Sequence, residues 1–452
     1  MRRSLVILGG SGDLTGRLLL PSLARLEASG DLADVGLLGV SREDLDDDGY
    51  RDWARRRLAA HAGDLDEEAR ERLVGRLRYR PGDVTSSADL RAALDRTDGV
   101  PIVYLALPNT VFRPTVDALA AVGLPEGAQV VVEKPFGRDL ADARELNAAL
   151  HRLLPEESVF RVDHFLAKPT VLNVLGLRFA NRLFEPVWNA AHVERVDIVF
   201  DETLGLEGRA GYYDRAGALR DMLQNHLLQL LALVAMEPPL TVTGGGLASR
   251  KADLLRAVRP PVDVRAGSVR GRYTAGEVDG RRLPDYAGEE GVDPARGTET
   301  YAEFTVTVEN WRWAGVPFRL RTGKAMGTGR KEVVVRFRPV PHLPFTDEEP
   351  APDVLRLQLS PDGIALELNL NGSGDPFDLE REVLTATPPG GDLPAYGLVL
   401  RELLGGDTSL AISDVEAEES WRIVEPVLAA WAADEVPLLE YAAGSAGPEA
   451  RP

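Results

Sequence analysis

A short apolar run near the start of the chain ends directly in a glycine-rich turn. The run Leu5–Leu8 has the composition of a buried strand, the turn reads GGSGDL, and a helical pattern follows from about 17 to 29. A strand, such a turn and a helix in this order begin a βαβ unit. Further apolar runs, separated by helical patterns, occur at Val35–Val40, Ile102–Leu107 and Gln129–Val132. This alternation predicts a parallel sheet with helices on its faces.

The second part of the chain has a different pattern. A strongly periodic helical segment covers about 217–235, and apolar and polar residues later alternate in runs such as Val333–Phe337 and Ile364–Leu370. Alternation of this kind is typical of antiparallel strands with one solvated face. We therefore expect an α/β Rossmann domain over 1–160, a larger α+β domain with a mainly antiparallel sheet over 161–441, and a flexible tail over 442–452.

The composition excludes several partners and chemistries. With 52 basic and 71 acidic residues the net charge is −19, which argues against nucleic acid or an anionic membrane as a partner. A phosphorylated small molecule needs only a local basic pocket and is not excluded. The absence of cysteine excludes disulfides and thiolate sites, and we predict no metal site. No apolar stretch is long enough to span a bilayer, so we expect a cytoplasmic protein.

The glycine-rich turn and the end of the second predicted strand together indicate a dinucleotide site. Gly9 and Gly12 permit a tight turn and a close approach of the backbone to a pyrophosphate. Thr15 stands where the usual motif has its third glycine, so a simple tight turn is the alternative. Arg42 follows the second strand, where an arginine accepts the 2′-phosphate of NADP. We predict NADP, and the alternative is a solvated arginine.

Three further clusters carry candidate binding groups. Lys134 follows an apolar strand, at the sheet edge where ligands of α/β proteins bind. Asp163, His164 and Lys168 lie within six residues near the expected domain boundary, and the last two could bind a phosphate. The segment RLRTGK, which ends at Lys324, concentrates positive charge in an acidic chain. The alternatives are a surface lysine, a solvated polar turn and a salt-bridged strand end, respectively.

His226 is the candidate general base. In the periodic helix it occurs at helical spacing from the leucines at 219, 223, 230 and 233, so it faces inward with them. A buried neutral imidazole with a carboxylate partner can accept a proton from a substrate hydroxyl. A hydrogen-bonded core histidine without a catalytic role is the alternative.

Together and in this order, these motifs resemble the glucose-6-phosphate 1-dehydrogenase family. The similarity extends from about Val6 to Pro448. The sequence blocks that carry it are GGSGDLTGRLLLPSL, YLALPNTVF, EKPFGRDL, RVDHFLAKPTVLNVLGLRFANRLF, ETLGLEGRAGYYDRAGALRDMLQNHLLQLLALVAMEPP, TETYAEFTVTVENWRWAGVPFRLRTGKAM and GDTSLAISDVEAEESWRIVEPVL.

The resemblance implies an NADP-dependent oxidoreductase that converts glucose 6-phosphate to 6-phosphoglucono-δ-lactone, the first step of the oxidative pentose phosphate pathway. It implies that His226 takes the proton of the C1 hydroxyl and that Asp163 stabilises the charged imidazole. It also implies a homodimer or homotetramer supported by the large antiparallel sheet. The implied substrate residues are His164, Lys168, Glu202, Asp221, Lys324 and Lys134. The implied cofactor residues are Gly9, Gly12, Asp13, Leu14, Arg42, Lys134 and Pro135.

The chain departs from the family pattern around the substrate phosphate and the adjoining edge of the cofactor. Leu18 replaces a lysine and Phe165 replaces a tyrosine. Gly329 stands where a cation often binds phosphate, with Arg330 one position further. Loss of two hydrogen bonds to charged groups weakens transition-state binding by roughly two to four powers of ten. Two alternatives therefore remain: a family member acting on another sugar or sugar phosphate, and a catalytically weak paralogue with a regulatory or scaffolding role.

Overall fold

The computed structural model describes residues 2–243, 245–345, 350–374, 377–391 and 393–449, which form two compact units. The first contains the described residues of 1–168, 239–249 and 391–418, and the second contains those of 169–238, 250–390 and 419–452. The expected single boundary at residue 160 differs from this division. The sheet of the first unit continues to Val162, and two later segments of the chain return to that unit.

The first unit is built on a seven-stranded sheet. Strand Arg3–Leu8 lies between Val35–Ser41 on one side and Val100–Leu105 on the other, and both pairs are parallel. The chain therefore adds strands first in one direction and then in the other, which is the doubly wound topology. The complete strand order is Ala411–Ile412, Val159–Val162, Gln129–Glu133, Val100–Leu105, Arg3–Leu8, Val35–Ser41 and Leu77–Pro81. The strand Ala411–Ile412, from the returning segment, pairs antiparallel with its neighbour.

Helices cover the sheet of the first unit. One charged helix was expected over about 52–77, but the structure has two, Asp47–His61 and Glu67–Arg76. The break lies at Gly63 and Asp64, between the end of the first helix and the cap of the second. The other helices of this unit are Leu20–Ser29, Ser87–Leu94, Asn109–Val122, Leu140–Leu153 and Ala395–Gly405, with shorter helical turns at Thr15–Leu19, Glu156–Ser158 and His164–Ala167.

The second unit contains a ten-stranded sheet, which confirms the expected antiparallel architecture. Two strand pairs are parallel, Val193–Asp201 with Pro317–Gly323 and Ser268–Thr274 with Leu438–Ala442. The strand order is Leu379–Ala386, Asp362–Asn371, Val354–Ser360, Arg330–Phe337, Val193–Asp201, Pro317–Gly323, Tyr301–Val308, Ser268–Thr274 and Leu438–Ala442, and Val258–Arg259 pairs with Tyr301–Val308. A separate hairpin joins Gly276–Val278 and Arg281–Leu283.

The remaining helices include the segment that carries the candidate base. The predicted helix over about 217–235 is divided into Ala210–Ala218, Leu219–Leu227 and Leu228–Ala235. The others are Pro169–Phe179, Gly246–Ala257, Val264–Gly267 and Asp414–Ala432, with short turns at Glu185–Val187, Tyr286–Gly288 and Pro294–Arg296. Among the described residues no helix is both long and apolar enough to cross a membrane.

The end of the chain is more ordered than the predicted flexible tail. Strand Leu438–Ala442 belongs to the large sheet, and the backbone N–H of Gly444 then donates to the carbonyl oxygen of Ala325 at 2.8 Å. The N–H of Gly327 donates to the carbonyl oxygen of Ser445, also at 2.8 Å. These bonds attach the described part of the tail to the second unit, and positions 450–452 lie outside the described residues.

Candidate active site

The glycine-rich turn is packed so closely that side chains do not fit at its start. Gly9 has a φ of +90°, and a Cβ there would lie 2.2 Å from the carbonyl oxygen of Ala106. The N–H of Gly12 closes the turn by donating to the carbonyl oxygen of Gly9 at 2.9 Å. The buried Thr15 hydroxyl donates to that same oxygen at 2.8 Å, which explains how threonine fits in place of the third glycine. The turn exposes backbone at the carboxyl edge of the parallel sheet, which suits a dinucleotide pyrophosphate.

The residues after the turn occupy the first helical turns. Asp13 is exposed and forms an ion pair with Arg17 at 3.2 Å. Leu14 is half-buried against the core of the first unit. Leu18, the position where the family has a lysine, is exposed. This side chain therefore offers no positive charge to a ligand at the edge of the turn.

Arg42 lies just after strand Val35–Ser41, beside the glycine-rich turn. Its side chain is 71% exposed, and its nearest acidic atom is an Asp83 carboxylate oxygen 3.8 Å away. Such exposed pairs contribute about 0–1 kcal/mol, so a ligand phosphate can displace Asp83. The neighbouring Glu43 carboxylate accepts a hydrogen bond from the Ser11 hydroxyl. Both signs of charge thus lie at the position that decides between NADP and NAD.

Lys134 follows strand Gln129–Glu133 and is joined to Pro135 by a cis peptide bond. Lys134 is half-buried, whereas the Glu133 carboxyl is buried and hydrogen-bonded by the Tyr104 hydroxyl. Burial raises the pKa of Glu133 to about 7, although hydrogen bonds from Tyr104 and Tyr396 and the charge of Lys134 oppose the shift. A buried titrating carboxyl therefore lies directly beside the candidate lysine, and we had not predicted it.

Asp163 is fully buried and organises the turn that follows it. Its Oδ1 accepts the backbone N–H of Phe165 at 2.9 Å and so caps the short helical turn His164–Ala167. The Lys168 ammonium lies 4.4 Å from the centroid of the Phe165 ring. Phe165 cannot bond a phosphate, but its ring supports the Lys168 ammonium through a cation–π contact.

Tyr396 is a site residue that sequence reasoning missed. Its ring stacks on His164, with centroids 5.1 Å apart and an interplanar angle of 16°. Its hydroxyl also bonds to the Glu133 carboxyl. Tyr396 lies on helix Ala395–Gly405, in the segment that returns to the first unit. No local pattern signals this role, because the contact depends on where a distant segment packs.

In the second unit, His226 and Asp221 lie on the helical segment Leu219–Leu227. His226 is 4% exposed, so its predicted burial is confirmed, and Asp221 is also buried. The segment has wide turns of the π type, a geometry that recurs at functional sites. Gln224 and Asn225 are buried as well, so the helix is enclosed on several faces and not on one apolar stripe. The Tyr212 hydroxyl donates to Asp221 Oδ1 at 3.2 Å.

The start of this helix is held by Glu299, a second residue that sequence reasoning missed. The backbone turns at Gly217, where φ is +71° and a Cβ would lie 2.3 Å from a Glu299 carboxylate oxygen. That oxygen accepts the N–H of Leu219 at 3.0 Å, and the carbonyl oxygen of Glu299 accepts the N–H of Ala218 at 3.1 Å. Burial raises the pKa of Glu299. The carboxyl therefore takes the place of a helix cap for the segment that carries His226.

Lys324 and Glu202 are brought together by parallel strand pairing. Gly323 lies opposite Asp201 in the sheet, so the two following residues are neighbours. The Lys324 Nζ lies 2.8 Å from a Glu202 carboxylate oxygen and 5.0 Å from the centroid of the Tyr213 ring. Lys331 Nζ approaches the other Glu202 oxygen at 3.8 Å. The arrangement combines an ammonium and a carboxylate, which can bond both hydroxyl and anionic groups of a sugar phosphate.

Arg330 is engaged by acidic side chains of its own sheet. Its Nε lies 3.4 Å from a Glu332 carboxylate oxygen and 4.0 Å from an Asp201 oxygen. A Cβ on the preceding Gly329 would meet no atom closer than 3.7 Å. A Cβ at position 329 would therefore meet only ordinary van der Waals contacts.

The candidate residues thus form one set in each unit. The first unit holds the catalytic candidate Asp163, the substrate candidates His164, Lys168 and Lys134, and the cofactor candidates Gly9, Gly12, Asp13, Leu14, Arg42, Lys134 and Pro135. The second unit holds Glu202, Asp221, His226 and Lys324.

Comparison with protein families covers nearly the whole chain. Residues 6–173 match the model of the glucose-6-phosphate dehydrogenase NAD binding domain, and residues 175–451 match that of the glucose-6-phosphate dehydrogenase C-terminal domain. The glucose-6-phosphate 1-dehydrogenase of Treponema pallidum is 40% identical, with 99% of this chain and 92% of the relative covered. The glucose-6-phosphate 1-dehydrogenase of Mycolicibacterium smegmatis is also 40% identical, with 98% of this chain and 94% of the relative covered.

Two solved structures show the same fold. The glucose-6-phosphate 1-dehydrogenase of Mycobacterium avium is 37% identical and superposes with a TM-score of 0.88, with 99% of this chain and 96% of that chain covered. A glucose-6-phosphate dehydrogenase in complex with its substrate glucose 6-phosphate is 30% identical and has a TM-score of 0.90. It likewise covers 99% of this chain and 96% of its own chain.

Proposed function

The chain belongs to the glucose-6-phosphate dehydrogenase family, and from this we propose that it oxidises glucose 6-phosphate at C1 to 6-phosphoglucono-δ-lactone with NADP as hydride acceptor. The observation that carries the proposal is the match of both family domains along the chain. The reaction opens the oxidative pentose phosphate pathway. A nicotinamide ring, when bound, supplies the hydride acceptor.

His226 acts as the general base in this proposal. Its buried imidazole takes the proton of the C1 hydroxyl as the hydride leaves C1, so that the carbonyl of the lactone forms. The family resemblance assigns to Asp163 the role of the carboxylate that stabilises the protonated imidazole. Asp221, bonded by Tyr212, lies five residues before His226 on the same helical segment and contributes to the pocket of the sugar.

The phosphate and the hydroxyl groups of the substrate are assigned to different residues. His164 and Lys168 hold the phosphate, since each presents N–H donors with positive charge from a fixed support, the Tyr396 and Phe165 rings respectively. Glu202 and Lys324 bind sugar hydroxyls as an ion pair. Lys134 and Pro135 lie between the substrate and the cofactor in this assignment. Because rings hold His164 and Lys168 in place, we expect phosphate binding to persist although Leu18 and Phe165 replace polar residues of the family.

The preference for NADP is supported by Arg42. Its exposed guanidinium stands beside the glycine-rich turn, and its weak pair with Asp83 leaves donors for a 2′-phosphate. Gly9, Gly12, Asp13 and Leu14 form the pyrophosphate side of the same site.

We also propose that the chain forms a homodimer, or a homotetramer built from it, through the large sheet. Its terminal strand, Leu379–Ala386, exposes Val383 and Leu384, each more than half accessible. Unpaired edges with apolar side chains favour association. Light scattering of Leu384→Glu should show a smaller species than the parent protein. Val262→Glu, at a fully exposed apolar residue of the same unit, should leave the mass unchanged.

The substrate comparison tests the proposed reaction. We expect kcat/KM with NADP to be highest for glucose 6-phosphate and lower by orders of magnitude for glucose and galactose 6-phosphate. A higher value for another sugar would identify a divergent member of the family. No turnover of any of them by protein that binds NADPH would identify a regulatory paralogue.

A further inference from the structure

A pocket lined by four arginines lies at the amino edge of the parallel sheet in the first unit. Its volume is about 240 Å³, and it adjoins the first residues of strands Arg3–Leu8, Val35–Ser41 and Leu77–Pro81. The arginines are Arg2, Arg76, Arg78 and Arg96, and Asp98 is the acidic residue of the lining. In a chain with a net charge of −19, this concentration of positive charge indicates an anion site.

Two of the arginines are fixed by acceptors of the protein itself. Arg76 pairs with Glu27 and donates to the carbonyl oxygens of Leu32 and Val35. Arg96 donates to the carbonyl oxygen of Tyr79 at 2.7 Å and pairs with Asp47 at 3.2 Å. Both guanidinium groups are therefore held in place, and their charges are offset by Glu27 and Asp47, so the charge available to a ligand comes from the other two arginines.

Three other groups keep bonding capacity for a ligand. The Nη1 atom of Arg78 forms an ion pair with a carboxylate oxygen of the exposed Asp98 at 3.0 Å. The other guanidinium nitrogen atoms of Arg78 can therefore donate to a second acceptor. Arg2 is exposed, and no ion pair of Arg2 is found within the described part of the chain. The Ser4 hydroxyl is buried, and among the described residues it has no hydrogen-bond partner. A buried hydroxyl without a partner is costly, and an anion oxygen would satisfy it.

We propose that this pocket binds the phosphoryl group of a small phosphorylated metabolite, held by Arg2 and Arg78 and hydrogen-bonded by Ser4. Arginine forks match the oxygens of a phosphate in pairs, and the volume admits a phosphate with a short organic group. The strands separate this edge from the glycine-rich turn by about 20 Å, the length of six extended residues. The pocket is therefore a second anion site, independent of the proposed catalytic site and of its function.

The test is calorimetric titration with inorganic phosphate and with ribose 5-phosphate at constant ionic strength. The full-length chain carries Arg42→Gln and Lys168→Gln, which weaken the cofactor and substrate phosphate sites. We expect saturable binding of ribose 5-phosphate at one site per chain. Added Arg2→Gln or Arg78→Gln should weaken it by about tenfold or more, the effect of one charged hydrogen bond. Arg72→Gln, which also removes one exposed ion pair of this unit, should leave it unchanged.

The two probes distinguish what is recognised. Equal affinity for inorganic phosphate means that the phosphoryl group alone is bound, and tighter binding of ribose 5-phosphate means that the organic group contributes. Arg2→Gln removes no ion pair within the described residues, so a folding defect would not explain its effect. Absence of saturable binding, or equal binding by the parent and both pocket variants, would overturn the proposal. The readout is binding, so a failure of the proposed enzymatic reaction would not affect it.

Discussion

In the proposed function, the preference for NADP over NAD is assigned to Arg42. Its guanidinium is exposed beside the glycine-rich turn, while Glu43 is bonded to Ser11. We expect Arg42→Ala to raise the dissociation constant of NADP by roughly 10- to 100-fold, since one hydrogen bond to a charged group contributes about 1.5–3 kcal/mol. Binding of NAD should change little, because NAD has no 2′-phosphate.

Fluorescence titration with both cofactors measures this difference. Arg72→Ala removes another exposed, ion-paired arginine of the same unit and should affect neither cofactor. An equal loss of NADP and NAD affinity in Arg42→Ala would refute the assignment of Arg42.

Glu133 makes the stability of the first unit depend on pH. Burial raises its pKa in the folded protein to about 7, from 4.5 for the unperturbed group. The folded form holds the proton where the unfolded form has lost it, so this carboxyl lowers stability as pH rises from about 4.5 through 7. The full effect is on the order of 3 kcal/mol.

Thermal unfolding of Glu133→Gln tests this linkage. The variant should lose less stability than the parent protein between about pH 5 and pH 8, because the amide does not ionise. Glu157→Gln, at an exposed position of the same unit, should retain the parent's pH dependence. A Glu133→Gln profile parallel to that of the parent would show that folding does not raise the pKa of Glu133.

At the scale of elements, the helix Leu219–Leu227 depends on a carboxyl from a different segment. Glu299 bonds the N–H of Leu219 next to the turn at Gly217. We expect Glu299→Ala to lower kcat by about tenfold or more and to shift the acidic limb of the kcat/KM profile, because His226 is displaced. Glu299→Gln keeps an oxygen acceptor, so kcat and the pH profile of this variant should be close to those of the parent protein.

Two controls separate positioning from general destabilisation. Glu309→Ala removes an exposed, ion-paired carboxylate of the same unit and should leave kcat unchanged. NADPH affinity should be normal in Glu299→Ala, since the cofactor candidates lie in the first unit. A wild-type pH profile in Glu299→Ala would contradict the positioning role.

The elements that could be predicted are those encoded by local patterns. The strand, glycine turn and helix at the start of the chain, and the burial of His226, follow from residues close in sequence. Tyr396 and Glu299 could not be found in this way, since each acts on a segment at least 70 residues distant. The helix break near Gly63 was missed because charged residues continue on both sides of it.

At the scale of the whole molecule, the order of motifs along the chain carried more information than any single motif. It indicated that a domain with a parallel sheet is followed by one with a mainly antiparallel sheet, and it indicated the family. Both predictions are confirmed. It could not show that residues 239–249 and 391–418 return to the first unit, because such returns depend on long-range packing. The roles of the site residues remain predictions that kinetics must decide.

The central claim is that His226 takes the proton when glucose 6-phosphate is oxidised. The most direct test compares the rate of NADPH formation from glucose 6-phosphate by the parent protein and by His226→Asn. A general base contributes about 10²–10⁴-fold, so kcat should fall by that factor while NADP still binds. His192→Asn, at an exposed histidine of the same unit, should retain the parent rate. Equal rates for the parent and His226→Asn, or no NADPH formation by the parent, would contradict the account.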